Sequence, residues 1–290
     1  MQWQAIENAM HTIENQSGGF SAARRGIVTM PDGLRVFVKV VNATEDEQWV
    51  KKEIAVYKML QAHNYPYVPK LLAHNDDLTG FALEALTAEN GWDWTDTWNE
   101  SRLTATLAAM DGLASLAPSD DEKKHLGVKG ITKDVDGWRA LQISERKQRI
   151  LRQKLANTGR DDLANSLDFG ERAKESAVYP FKYDTLVHHD IRADNCAWCP
   201  AEQTVKLIDW EWTQLGDRTI DQNAILAHVY KSSSYDVLAK YHDLLNTNAL
   251  IWLAGFWLNA STNPDRPESP QVRKYQLASG IAALELASKL

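Results

Sequence analysis

From Leu34 to Val41 the polar residues Arg35 and Lys39 each fall between apolar neighbours in a run rich in valine, the pattern of a strand. The residues before it, from Ala22, are rich in β-branched side chains and are divided from it by Pro31-Asp32-Gly33. That tripeptide is turn chemistry, so residues 22–41 are expected to form a β-hairpin. Val36, Val38 and Val40 share one face; Arg35, Phe37, Lys39 and Val41 share the other. The period then changes. Thr44 and Glu47 form a capping box, and Trp49, Val50, Ile54, Val56, Tyr57 and Leu60 follow at helical spacing. Glu53 falls close to that inward stripe. A buried carboxylate is costly unless paired, and Lys39 is its natural partner.

Asp77-Leu78-Thr79-Gly80 reads as a turn between two further strands, the second running through Phe81 to Leu86. A polar, Trp-rich stretch from Glu89 to Trp98 then marks a boundary near residue 87. Beyond it the pattern is mostly helical: 101–116, stopped by Pro118, then 134–156, 161–176, and from 218 to the C-terminus with a loop at 263–267. The basic run Arg146 to Lys154 reads as a solvated helix face. No internal repeat or low-complexity segment interrupts this order.

Composition narrows the class. With 290 residues, 44% hydrophobic and 24% charged, the chain can build a sizeable core. No apolar run approaches the ~20 residues that span a bilayer. The N-terminus lacks a basic segment leading into an apolar one, so no membrane partner is expected and the expected location is the cytoplasm. The net charge of −7 disfavours nucleic acid as a partner and suits a cationic small substrate. Cys196 and Cys199 are spaced C-x-x-C with no matching second pair, and read as two small residues of a strand rather than a zinc site.

The densest chemistry lies in His188-His189-Asp190-Ile191-Arg192-Ala193-Asp194-Asn195. A second segment, Val205 to Glu211, places Asp209 just after an apolar strand. An acid, a guanidinium, an amide and a carboxylate on two neighbouring strand ends suit Mg-ATP phosphoryl transfer. Asp190 would accept a proton from an alcohol, Asn195 and Asp209 would hold Mg²⁺, and Arg192 would face the moving phosphoryl group. Upstream, Gly18, Gly19 and Ser21 precede the first strand, where glycines let backbone N–H groups approach phosphates.

H-x-D-x-x-x-x-N followed by I-D-W-E resembles the aminoglycoside phosphotransferase and choline kinase-like branch of the protein-kinase-like fold. The resemblance is strongest over His188–Asp221 and reaches back to Gly18. It implies an α+β, two-lobe fold: a small β-rich N-lobe with one main helix (residues 1–86, nucleotide-binding, ending in a hinge strand) and a larger, mostly helical C-lobe (residues 87–290, with the catalytic loop and acceptor site). It further implies that Lys39, anchored by Glu53, binds the α/β-phosphates, and that the Glu84 carbonyl and Leu86 N–H pair with adenine. ATP is the implied donor, with GTP as the alternative, and Mg²⁺ the implied metal. His188 is expected to hold the loop, and Asp221, in Gly216-Asp217-x-x-x-Asp221, to tether it. His189 stands where the antibiotic-modifying enzymes commonly carry glycine.

Asp221 follows Asp209 by only 12 residues, too few for the activation segment of a protein kinase. The acceptor is therefore expected to be a small hydroxylated molecule, aminoglycoside-like in the leading reading, with antibiotic resistance as the associated role. A metabolite kinase of the choline or ethanolamine type is the alternative, with Trp92, Trp94, Trp98, Trp210 and Trp212 as aromatic faces for a cation. Glu89, Asp93, Asp96, Glu211 and Asp217 are the acids available to substrate amines. Readings of other classes are a nucleotide-binding scaffold without catalysis and a carbohydrate-binding module. The oligomeric state is left open.

Overall fold

A computed structural model describes residues 1–16, 23–41, 44–126, 132–232, 235–267 and 269–290. The backbone divides into two compact units, Met1–Gly130 with Thr185–Leu215, and Ile131–Asp184 with Gly216–Leu290. No helix among the described residues is long and apolar enough to cross a membrane.

The first unit opens with helix α1 (Trp3–Ala9) and strand β1 (Glu14–Asn15), then β2 (Arg24–Thr29) and β3 (Arg35–Val40). The hairpin expected at residues 22–41 is present. Gly33 N–H donates to the Met30 carbonyl and Met30 N–H to the Leu34 carbonyl, and Gly33 has φ +85°, which a residue without Cβ adopts at little cost. Helix α2 (Thr44–Ala62) follows, then β4 (Leu71–His74) and β5 (Gly80–Glu84). The five strands form one antiparallel sheet in the order β1-β2-β3-β5-β4. Strand alternation gives the sheet two distinct faces. Val28, Val36, Val38 and Ala82 pack with Ile6 and Ala9 of α1, while Ile27, Phe37, Lys39 and Leu83 face a cavity. Helix α1 covers that apolar face and is absent from the sequence expectations.

The unit continues through α3 (Glu100–Ala114) and α4 (Asp120–Leu126), and after the second unit's first segment through β6 (Thr185–Val187), β7 (Cys196–Cys199) and β8 (Thr204–Leu207), closing in β9 (Gln214–Gly216). Strands β7 and β8 form a hairpin. Both cysteines are buried free thiols. They stand three apart on one strand, so their side chains point to opposite faces, as two packing residues would.

The second unit comprises α5 (Gly137–Gln142), α6 (Glu145–Asn157), α7 (Asp161–Ser166), α8 (Phe169–Ala177), α9 (Arg218–Lys231), α10 (Tyr235–Leu238), α11 (Thr247–Ser261) and α12 (Val272–Ala287). The continuous helices expected at 134–156 and 161–176 are each broken once. Ser144 accepts from the Lys147 N–H, and Asp168 accepts from the Gly170 and Glu171 N–H groups, so each side chain starts a new helix instead of continuing the old one. The basic run lies on α6. Lys147 donates to Asn259 Oδ1 and Lys154 to the Ser261 carbonyl, both at 2.7 Å, so part of it ties α6 to α11 rather than facing solvent.

Candidate active site

Lys39 sits at the centre of the first unit's polar cluster. Its ammonium donates to Glu53 Oε2 at 2.7 Å and to Asp209 Oδ1 at 3.1 Å. Strand β3 brings the lysine in from the sheet, α2 supplies Glu53 one helix face away, and Asp209 follows β8. The expected Lys39–Glu53 pair is therefore present, and a third charge joins it. Burial works against the lysine charge, but Asp209 and Glu53 outweigh it and raise its pKa. Asp209 is pushed up by burial and pulled below its ordinary value by Lys39 and then Arg192. Burial drives the Glu53 carboxyl upward, against the pull of Lys39. Asp209 itself adopts φ +66°, a left-handed turn that short polar residues tolerate and that points the chain sharply away from β8.

The loop after β6 carries the remaining groups. His188 is fully buried, and burial lowers its pKa to about 4, so the ring is neutral. Its Nε2 lies 3.0 Å from the Ile208 carbonyl, and its Nδ1 accepts from the Asp190 N–H at 3.3 Å. Those partners fix the proton on Nε2 and pin the loop to the residue before Asp209. Ile208 N–H returns to the Asn195 carbonyl at 3.0 Å, and the ring packs on Trp210 with centroids 4.4 Å apart. The holding part expected of His188 is visible in these bonds. His189 has φ +65°, the conformation glycine takes most readily. Its ring is buried against Gln214 Nε2 at 3.2 Å, folded into the protein.

Asp190 is half-buried. Burial raises its carboxyl to about 7, with Arg192 pulling down and Asp209 pushing up. Arg192 Nε lies 3.3 and 3.4 Å from the two Asp190 oxygens, and Nη1 lies 3.0 Å from Asp194 Oδ2. The guanidinium is buried and engaged by two carboxylates of its own loop. Asp194 faces solvent while holding Arg192. Asn195 donates from Nδ2 to both the Asp190 carbonyl and Oδ2, each at 2.9 Å. Its amide oxygen is thereby oriented as an oxygen donor. Together with the Asp209 carboxylate it offers the hard ligands that Mg²⁺ prefers, and phosphate oxygens and water would complete such a site.

The cavity beside these groups has a volume of about 570 Å³. Ile27, Phe37, Leu83 and Leu86 give it apolar walls; Lys39, Glu53 and Asp209 give it charge, and Asn195 adds a neutral amide. Of the residues expected at a hinge, Glu84 and Leu86 both line it. The Glu84 carboxylate is held by Lys206 Nζ at 2.6 Å. Among the described residues the Leu86 N–H makes no hydrogen bond, while the Leu86 carbonyl accepts from Trp94 Nε1 at 2.8 Å. Gly18, Gly19 and Ser21 lie outside the described residues.

Several substrate-facing residues of the sequence reading have other employment. Asp217 is buried, caps α9 through the Thr219 and Ile220 N–H groups and accepts from Lys182 N–H at 2.9 Å, which corrects its place among acids open to substrate. Trp92, Trp98 and Trp210 are buried packing residues, and only Trp94 of the five is exposed. Trp94 lines the cavity instead of a separate aromatic face. Sequence reasoning missed its bond to the Leu86 carbonyl, the Gln214 contact to His189, and the buried Arg102. A periodicity signal existed for Arg102: Thr106, Ala109 and Leu113 follow it at helical spacing on the buried face of α3.

Phosphoryl transfer relies on positioned charge rather than on protein nucleophiles, and the class that fold and comparisons define is a kinase-type phosphotransferase with a hydroxyl acceptor. The chain belongs to the phosphotransferase enzyme family, whose model matches residues 12–246. No match is found among curated protein sequences. Among solved structures, a spectinomycin phosphotransferase in complex with ADP and spectinomycin aligns with a TM-score of 0.64 at 12% identity, covering 99% of this chain and 98% of that one. An aminoglycoside phosphotransferase from Alicyclobacillus acidocaldarius aligns at 0.56 and 13% identity, covering 99% and 95%. A choline kinase from Streptococcus pneumoniae aligns at 0.54 and 14% identity, covering 98% and 95%. These likenesses establish the protein-kinase-like, two-lobe α+β fold expected from the motifs.

Proposed function

We propose that this phosphotransferase binds Mg-ATP in the cavity beside β3 and moves the γ-phosphoryl group to a hydroxyl of an aminoglycoside-like molecule. The observation that carries the nucleotide reading is Lys39 bridging Glu53 and Asp209 on the wall of that cavity. A buried ammonium oriented by two carboxylates is pre-set to meet phosphate oxygens without reorganisation. The Leu86 N–H, without a hydrogen bond among the described residues, and the apolar walls suit an adenine edge and faces, with the Glu84 carbonyl as the second hinge contact. Gly18, Gly19 and Ser21 are proposed to cover the phosphates. GTP is the alternative donor. The functional division between nucleotide lobe and acceptor lobe is proposed after Leu86, giving residues 1–86 and 87–290.

Asp190 is the proposed base. A carboxyl raised to about 7 is near the pH at which a general base combines deprotonation with useful basicity. Asn195 and Asp209 are the proposed Mg²⁺ ligands; bound there, the metal would neutralise charge on the phosphates. Arg192 orients Asp190, and in its proposed catalytic role its guanidinium exchanges Asp194 for the transferred group. A scaffold without catalysis has no use for this complete set.

The aminoglycoside reading draws on the spectinomycin enzyme, and the choline or ethanolamine reading on the pneumococcal choline kinase. Growth protection by the expressed gene against an aminoglycoside panel, run beside turnover of choline and ethanolamine, separates them. Protection without choline turnover supports the first. Choline or ethanolamine turnover without protection replaces it with the second.

A further inference from the structure

Arg102 is fully buried, and its guanidinium is held by main-chain carbonyls. Nη1 donates to the carbonyls of Thr95 at 2.6 Å and Thr97 at 2.8 Å. Nη2 donates to Ala193 at 3.1 Å and Cys196 at 2.7 Å. The carbon of the guanidinium stands 4.3 Å from the Trp98 ring centroid. A guanidinium is always charged in proteins, and burying that charge is costly unless hydrogen bonds replace its water. Four carbonyl dipoles and an aromatic face do so here. The cost is borne at one particular place. Ala193 and Cys196 flank Asn195, so one arm of the fork grips the chain on both sides of that residue. The other arm grips residues 95 and 97, in a segment that also pairs with β7 through reciprocal Asp93–Trp198 backbone bonds at 2.7 and 2.9 Å.

We propose that Arg102 is a positioning residue for Asn195: its planar fork sets the turn that aims the Asn195 amide oxygen at the metal, coupling that turn to the chain following the hinge. The inference rests on Asn195 being a metal ligand, as proposed above. The geometry needs two parallel donor pairs diverging from one plane, which a guanidinium has and an ammonium lacks. Because Asn195 also donates to the Asp190 carbonyl and carboxylate, a shifted turn would disturb the amide's grip on Asp190 as well.

The test is the gain in ADP affinity on adding Mg²⁺, measured by calorimetry with and without the metal in wild type, Arg102→Lys, Asn195→Ala and the double variant. Arg102→Lys should bind ADP without Mg²⁺ within about twofold of wild type. Its Mg²⁺-dependent gain should fall about tenfold, the scale on which residues supporting metal ligands act. Asn195→Ala should lose at least as much, and the double variant no more than Asn195→Ala alone. A wild-type Mg²⁺ gain in Arg102→Lys overturns the inference, whatever happens to Tm, because a merely structural arginine would lower Tm alone. Losses that multiply in the double variant also overturn it. A wild-type gain in Asn195→Ala refutes the metal-ligand reading, and the inference falls with it through a different variant. If Arg102→Lys does not fold, Trp98→Leu removes the face under the guanidinium. It should lower the Mg²⁺ gain in the same direction but less, and an unchanged gain overturns the proposal.

Discussion

At the scale of single residues, the account depends on charges held by opposite charges in poorly solvated surroundings. Lys39 and Glu53 are both more than nine-tenths buried as side chains. Removing one partner of such a pair leaves the other charge uncompensated, a loss of about 3–5 kcal/mol. Lys39→Met is therefore expected to lower Tm sharply and to abolish ADP binding, checked by thermal melts and calorimetry. Glu53→Gln should lower ADP affinity while retaining some binding, because Asp209 still orients the lysine.

Asp190 gives a second prediction, with a sign that differs between activity and stability. Its carboxyl is raised from the ordinary aspartate range to about 7 by burial. Turnover should therefore rise with pH through about 7 as the base ionises. Stability runs the other way. Between the unfolded value near 4 and the folded value near 7, the native state holds more protons, so this group's contribution is present at low pH and lost as pH rises. Asp190→Asn should cut turnover by about 10²–10⁴-fold. Its Tm relative to wild type should also improve on moving from pH 5 to pH 8. A Tm difference that does not change with pH would show that the carboxyl is not raised.

At the scale of elements, legibility followed the physics of each signal. The hairpin, the main helix and the Lys39–Glu53 pair were readable because alternation, turn chemistry and helical period each act locally. The breaks at Ser144 and Asp168 were not, because the same side chains can lie inside a helix or start one, and only tertiary packing decides. Helix α1 escaped because a short helix is marginal by propensity and depends on the sheet face it covers. Main-chain bonds such as those gripped by Arg102 leave no trace in residue identity. The second unit carries one element-scale test. Trp138 of α5 is fully buried and donates to the Ile251 carbonyl of α11 at 2.6 Å. A Cβ on Gly137 would meet the Gly255 carbonyl oxygen at 1.9 Å, which the helix backbone cannot yield. Replacing a helical glycine by alanine ordinarily gains about 0.5–1 kcal/mol; Gly137→Ala should instead destabilise or unfold the protein, read from denaturant melts.

At the scale of the whole molecule, the family and fold place the chain among kinase-type phosphotransferases. A ligand that binds only the folded state stabilises it by about 2.7 kcal/mol at a hundredfold excess over Kd. ADP with Mg²⁺ is expected to raise Tm accordingly, and Asp209→Asn to lose most of the Mg²⁺-dependent part of the rise, because the carboxylate both receives Lys39 and is a proposed metal ligand. The acceptor, by contrast, was not readable from the motifs, since the roles proposed for Asp190, Asn195 and Asp209 would serve any hydroxyl alike. The most direct measurement of the central claim is ADP release from ATP and Mg²⁺, with the best acceptor from an aminoglycoside, choline and ethanolamine panel, in wild type and Asp190→Asn. The account predicts acceptor-dependent release in wild type and its near-complete loss in the variant; acceptor-dependent release at the wild-type rate in Asp190→Asn would contradict it.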